Sequence, residues 1–270
     1  MSFSASSYKF IEIVHHQTGI LRLNLNDPSR RNALSEAMLG ELHNAFDEIL
    51  ISAKVRVVII ASSGTVFCSG HDLKEMAAAR KNADNGRAYF TDCLALCSDL
   101  MQKIVRCPKP IIAEVDGVAT AAGCQLVASC DLAIASEKAQ FSTPGVHIGL
   151  FCSTPMVALS RNLTNKHAME MLLLGDMLPS FRAAEMGLIN YVVPSNELRK
   201  TSLALAKKIA KKSSLAVAFG KRAFYQQKEM NLATAYDYSS EIMVENMLAN
   251  DAEEGIAAFI EKREPNWHEE

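Results

Sequence analysis

Two stretches of this chain carry residue types that could do chemistry. The first is Val66-Phe67-Cys68-Ser69-Gly70-His71-Asp72-Leu73-Lys74-Glu75. A glycine in a loop lets the backbone turn tightly and leaves neighbouring N–H groups free to face a ligand. The second is Asp116-Gly117-Val118-Ala119-Thr120-Ala121-Ala122-Gly123-Cys124-Gln125. An apolar run ends at Val115, and a helix is expected to begin near Thr120 to Ala122. Small residues permit close approach, and a helix N-terminus offers unpaired N–H groups and a dipole that favours negative charge. Two such N–H sources converging on one point would make an oxyanion hole. Taken singly, each stretch is a weak signal, since a Gly/Ala-rich turn of this kind is more often plain close packing. A third polar group holds His147, Cys152, Ser153 and Thr154. Cys152 with His147 or His71 has the residue types of a nucleophile and its base. The alternative is that these polar groups cap a helix starting near Ser153.

The elements that must position these residues follow from apolar periodicity. Segments 8–14 and 20–25 read as two short strands around a turn at Gly19. Ser35 reads as an N-cap, and Met38, Leu42, Ala45, Phe46 and Ile49 recur at helical spacing, which predicts an amphipathic helix over 36–52. Segment 55–61 (VRVVIIA) is an almost unbroken apolar, β-branched run, as expected of a strand buried on both faces. Segments 110–115, 132–135 and 189–193 are further short strands, and 87–105 is a long helix. This alternation predicts an α/β fold with parallel pairing. From about 196 the strand signals stop, so the expected division is a core over 1–195 and a helical C-terminal subdomain over 196–270. Segment 77–85 (AAARKNADN) reads as polar and loop-like after its alanines, a stretch that could cover a site. Basic residues over 199–212 lie opposite Leu203, Ala206, Ile209 and Ala210, which reads as the solvated face of an amphipathic helix.

Composition bounds the function. The chain has 270 residues, 49% hydrophobic and 21% charged, with 28 basic and 30 acidic side chains for a net charge of −2. That is ordinary globular composition, and it lacks the basic footprint of a nucleic-acid binder. The seven cysteines form no CxxC pair. An odd count without a framework suggests reduced thiols in a cytoplasmic setting, with Cys93 and Cys97 in the core rather than on a metal. Residues 1–7 lack a charge-then-apolar leader pattern, and no apolar run is long enough to span a bilayer.

Together the motifs resemble one family. FCSGHDLKEM, GVATAAGCQLVASCDLAIAS and AQFSTPGVHIGL resemble the enoyl-CoA hydratase/isomerase (crotonase) superfamily. So do RNALS at 31–35, AMEMLLLG at 168–175, AAEMGL at 183–188 and EGIAAF at 254–259, in the family's order. The resemblance implies a crotonase (ClpP/crotonase-like) fold of repeated β-β-α units, with C-terminal helices that build a homotrimer, often paired into a hexamer. It implies an acyl-CoA thioester substrate, with coenzyme A as part of the substrate rather than a cofactor. The oxyanion donors carried over are the backbone N–H groups of His71 and Ala122. Coenzyme A is expected over Arg30, Ala33, Leu34, Ser69, Asp72, Leu73 and Lys74. Phe259 and Lys262 match positions that contact the nucleotide from a neighbouring subunit, or are a core aromatic and a surface lysine. Asp131 resembles a buried structural aspartate.

The matched positions also show a departure. Family hydratases move protons with two glutamates, and here those positions hold Gln125 and Gly145. An amide can orient water but cannot exchange a proton at a useful pKa. Standard hydration is therefore expected to be weak, while any reaction through a thioester enolate remains supported by the hole. The alternatives are a decarboxylase or thioesterase of the family, with His147, Cys152 or Ser153 as substitute groups, or a non-catalytic acyl-CoA-binding protein.

Overall fold

The computed structural model describes residues 8–268. Segment 1–7, which bore the expectation about a leader, lies outside them. The chain opens with a hairpin in which β1 (Ile11–His16) runs antiparallel to β2 (Ile20–Leu25). Helix α1 (Glu36–Ile51) follows. Ser35 caps it by accepting the Met38 N–H, and Met38, Leu39, Leu42, Ala45, Phe46 and Ile49 form its buried stripe.

Three β-β-α passes come next, each a longer strand, a three-residue strand and then helix. The first is β3 (Val57–Ser62), β4 (Val66–Cys68), α2 (Leu73–Ala79) and α3 (Arg87–Arg106). The second is β5 (Ile111–Val115), β6 (Val118–Thr120) and α4 (Ala122–Ser129). The third is β7 (Leu132–Ser136), β8 (Gln140–Ser142) and α5 (Ser153–Asn162). Then come α6 (Asn165–Leu174), β9 (Leu178–Pro179), α7 (Ser180–Met186) and β10 (Tyr191–Val193). The longer strands build a six-stranded sheet, β1-β2-β3-β5-β7-β10, parallel from β2 onward. The short ones build a second sheet, β4-β6-β8-β9. These are the repeated units expected from the resemblance.

The near-continuous apolar character of β3 has a direct cause. Val58 and Ile60 face the main core with α1, α3 and α4, whereas Val57 and Ile59 face a second cluster. That second cluster is closed by Leu198, Ala206 and Ala210 of α8 (Leu198–Ala210), so the helical region begins as a layer on the sheet. Its basic residues, Arg199, Lys200, Lys207 and Lys208, point to solvent. Helices α9 (Ser214–Gln227), α10 (Leu232–Met247) and α11 (Asn250–Glu261) complete the chain.

Two buried polar clusters fasten the layers. The Arg22 guanidinium donates to both Glu114 carboxylate oxygens across the sheet, and the Ser202 hydroxyl of α8 donates to the same carboxylate. Asp131 accepts the Ile111 N–H at 2.7 Å, the Lys221 ammonium at 2.6 Å and the Tyr225 hydroxyl at 3.0 Å. This ties α9 to the start of β5 and gives Asp131 structural partners.

Residues 77–79 end α2, because Asp72 caps that helix by accepting the Lys74 and Glu75 N–H groups and the alanines favour helix, and turns follow over 80–86, as read. Asp84 then accepts the Gly86 and Ala88 N–H groups and starts α3. The strands β4, β6 and β8 had no reading at all, since three residues are too few to show an alternation.

Candidate active site

The two Gly/Ala-rich stretches meet. Gly70 has φ +86°, and a Cβ added there would lie 2.9 Å from the Ala121 Cβ and 3.2 Å from the Ala122 nitrogen. The Thr120 hydroxyl donates to the Ser69 carbonyl at 3.1 Å, tying the loops side by side. Gly123 is equally constrained, since a Cβ there would land on the Cys68 carbonyl. The glycines are thus contact points between two backbones.

Each loop also fixes the direction of one N–H. The Gly70 carbonyl accepts the Leu34 N–H at 2.8 Å. In a trans peptide the N–H points opposite to the carbonyl, so the His71 N–H faces away from Leu34. On the other loop, Ala121 sits at φ 52°, ψ −121°, a conformation that costs an L-residue about 1–3 kcal/mol. Its N–H donates to Ser142 at 2.9 Å. Its strained ψ sets the plane of the next peptide, which carries the Ala122 N–H at the first position of α4. All eight residues of α4 are buried. Strain of this kind is retained where the surroundings over-determine it, commonly at functional sites.

The His71 ring turns inward. Its Nδ1 lies 3.6 Å from the Cys93 Sγ, and its Nε2 is buried without a hydrogen-bond partner. Burial lowers its pKa, only partly offset by the Leu34 carbonyl. Cys93 also neighbours Tyr89, whose hydroxyl donates to Glu75 at 3.1 Å. Cys93 was legible as a core thiol from its spacing to Cys97, but its contact with His71 crosses 22 residues and leaves no local signal. Gln125, one turn into α4, is 4% exposed, and its Oε1 has no partner.

The third polar group is less closely assembled. A Cβ on Gly145 would lie 2.9 Å from the Cys152 Sγ, so that thiol fills the space beside Gly145. Burial raises the Cys152 pKa, opposite to the shift that activates a nucleophile. His147 is exposed, and its Nε2 would be 2.9 Å from a Cβ on Gly175, over the end of α6. Helix α5 starts at Ser153, as read; Cys152 is its N-cap, without a side-chain cap bond.

The residues expected to hold coenzyme A divide in two. Ala33 and Leu34 are buried beside the 69–72 loop, and Ser69 donates its N–H to the Arg31 carbonyl. Arg30 bonds Asp27 at 2.7 Å and lies 3.4 Å from Asp72 and 3.5 Å from Glu75. Leu73 and Lys74 are exposed on α2. Phe259 and Lys262 are exposed at the end of α11, which packs on α9 and α10. Among the described residues, no group of three His, Cys, Asp or Glu could hold a metal ion, and no helix is long and apolar enough to cross a membrane.

The wall behind the loops is lined with thiols held protonated by burial. The Cys68, Cys97 and Cys124 thiols are each pushed up to about 12. At pH 8 the thiolate fraction of such a group is about one in 10⁴, and the thiolate is the reactive form. Iodoacetamide at pH 8 should therefore leave these three unmodified in the folded protein and label them in urea. Peptide mass mapping checks this; rapid native labelling of Cys68 or Cys124 would contradict the buried wall.

Fold and site together define an α/β protein of stacked β-β-α units whose two small-residue loops meet at the N-terminus of a buried helix. The chain belongs to the enoyl-CoA hydratase/isomerase family, whose model matches residues 15–270. Within it, the chain groups with enoyl-CoA hydratase domain-containing protein 3. The mitochondrial protein of that name from Rattus norvegicus is 49% identical over 93% of this chain and 82% of its own length. The crystal structure of the human protein superposes with TM-score 0.91 at 44% identity, covering 96% of this chain and all of that one. The 2,3-dehydroadipyl-CoA hydratase of Escherichia coli is 32% identical over 94% of this chain and 97% of its own. One expectation is overturned: the rat, mouse and human relatives are named mitochondrial, against the cytoplasmic location read from the reduced cysteines. Thiols are kept reduced in more than one compartment, so the cysteine pattern could not separate them.

Proposed function

We propose that this protein acts on acyl-CoA thioesters through an oxyanion hole made by the backbone N–H groups of His71 and Ala122, with a thioester enolate as the stabilised species. The observation that carries this is the contact of Gly70 with Ala121 and Ala122, which brings the two N–H-bearing peptides together. An oxyanion donor of this kind contributes about 10²–10³-fold. Coenzyme A lies along Arg30, Ala33, Leu34, Ser69, Asp72, Leu73 and Lys74 in this reading. The exposed apolar side chains of the C-terminal helices, among them Leu232 (76%), Leu248 (76%) and Phe259 (85%), support burial against further copies in a trimer, or a hexamer of two trimers. Phe259 and Lys262 then reach a neighbour's nucleotide.

A second reading follows from Gln125 and Gly145, which supply no proton-transfer group: an acyl-CoA-binding protein without catalysis. Turnover assays with crotonyl-, malonyl- and methylmalonyl-CoA, run beside calorimetric binding of each, separate the two. Conversion of any thioester supports the enzyme, and binding without conversion supports the second reading. Failure of every thioester and of free coenzyme A to bind would sink both.

A further inference from the structure

We propose that the outer face of α8 holds a second ligand site, a cationic groove that binds a phosphate monoester carrying an apolar group. Asn196, Arg199, Lys200, Leu203, Ala204 and Lys207 line a groove of about 480 Å³. These positions recur at helical spacing, so one stripe of α8 forms it. Leu203 and Ala204 make an apolar floor, and Arg199 and Lys207 stand exposed at either end. About 12 Å of helix separates these two cations, a span that two long side chains can close on one phosphate. The groove is apart from the candidate active site. Helix α8 covers the face of the sheet that bears Val57 and Ile59, whereas α4 belongs to the core on the face that bears Val58 and Ile60.

Charge selects the ligand. The whole chain is near neutral, yet no Asp or Glu stands between Glu197 and Glu229, a stretch that holds nine Lys and Arg. Lys200 pairs with Glu197 at 3.0 Å, and among the described residues no carboxylate pairs with Arg199 or Lys207. His16, half-buried at the end of β1, lies close to both of them. Burial lowers its pKa, and the charges of Arg199, Arg22 and Lys207 lower it further. Arg22 is neutralised by Glu114 beneath, so His16, Arg199 and Lys207 are left to meet an anion. A carboxylate brings one negative charge, whereas a phosphate monoester brings nearly two, with three oxygens for the guanidinium and ammonium groups. Inorganic phosphate would leave the floor of Leu203 and Ala204 wet, so an apolar group on the ester completes the fit. A dianion seated here offsets the two cations that act on His16. The imidazole pKa therefore rises in the complex, binding takes up a proton, and affinity grows as pH falls through that pKa.

The test is calorimetric binding of hexyl phosphate, inorganic phosphate and hexanoate to the full-length protein, to His16→Gln and to the double variant Arg199→Gln, Lys207→Gln. Hexyl phosphate should bind the wild type at least about tenfold more tightly than hexanoate, because a second negative charge adds charge-assisted hydrogen bonds. It should also bind more tightly than inorganic phosphate. The double variant should lose this binding yet melt as the wild type does and keep its affinity for butyryl-CoA, since both side chains are exposed on the far face of the sheet. Between pH 8 and pH 6, hexyl phosphate should gain affinity in the wild type relative to His16→Gln, a comparison that cancels the titration of the phosphate itself. Sedimentation with vesicles of phosphatidylcholine, with or without phosphatidic acid, separates the two sources of the ester. Capture by the phosphatidic acid vesicles assigns a lipid headgroup, and binding of hexyl phosphate without capture assigns a soluble ester. Hexanoate binding as tightly as hexyl phosphate, or hexyl phosphate binding that survives in the double variant, would overturn the inference.

Discussion

Crotonyl-CoA hydration by this protein should be slower than that of a two-glutamate hydratase by about 10²–10⁴-fold for each missing proton-transfer group. Hydration needs one group to take a proton from water and one to deliver a proton to the α-carbon. The Gln125 carboxamide does neither at neutral pH, and Gly145 has no side chain. Gln125→Glu should raise the rate by at least tenfold, because a carboxylate then stands one turn into α4, close to the proposed hole. Gly145→Glu should not, since its Cβ would lie 2.9 Å from both the Cys152 Sγ and the Leu150 carbonyl. Carbon cannot approach either atom so closely without displacement, so this variant should lose stability instead. Adding Cys152→Ala removes one of the two clashes and should recover part of that loss. Initial rates by absorbance at the enoyl thioester band, with thermal melting of each variant, check both halves. Wild-type hydration at a rate equal to that of a two-glutamate enzyme would show that another residue has taken over proton transfer.

What the sequence made legible follows from how far each signal reaches along the chain. The helix over 36–51 and the buried strand at 57–62 were readable because packing imposes a period on consecutive residues, and Ser35 marks the start of α1. The two loops were readable because glycine is needed where backbones touch, as at Gly70 and Gly123. The three-residue strands β4, β6 and β8 were not, although they set the position of both loops, because their stability comes from lateral pairing with one another. The His71–Cys93 contact, the strained Ala121 and the orphaned Gln125 oxygen depend on distant segments meeting, and no window of the sequence contains them. The resemblance implied the repeated β-β-α units. It could not say that Cys152 fills the space beside Gly145.

Glu114→Ala should cost about 3–5 kcal/mol, the loss expected when one partner of a buried ion pair is removed and the other is left uncompensated. Arg22 and Glu114 are 8% and 6% exposed at their side chains, and they join β2 to β5 across β3. The Ser202 hydroxyl brings α8 onto the same carboxylate, so one group holds three strands and the helix covering them. Truncation leaves a guanidinium in a cluster of Ile20, Val57, Ile59, Ile112 and Ile134, with Asn24 still accepting from it. Removing both charges behaves differently. Arg22→Met with Glu114→Leu replaces the pair by apolar groups in apolar surroundings, and such exchanges are often neutral or stabilising. The double variant should therefore recover most of the stability lost in Glu114→Ala. Urea unfolding of both variants beside the wild type measures the two values. A single-variant loss below about 1 kcal/mol would place the pair among weak surface-like contacts. That α8 is among the elements so fixed has a consequence for the site. The strands β3 and β5, which lead through β4 and β6 into its two loops, carry α8 on one face and the main core on the other. Loosening the Glu114 cluster should therefore lower acyl-CoA affinity as well as the melting temperature, although Glu114 belongs to neither loop.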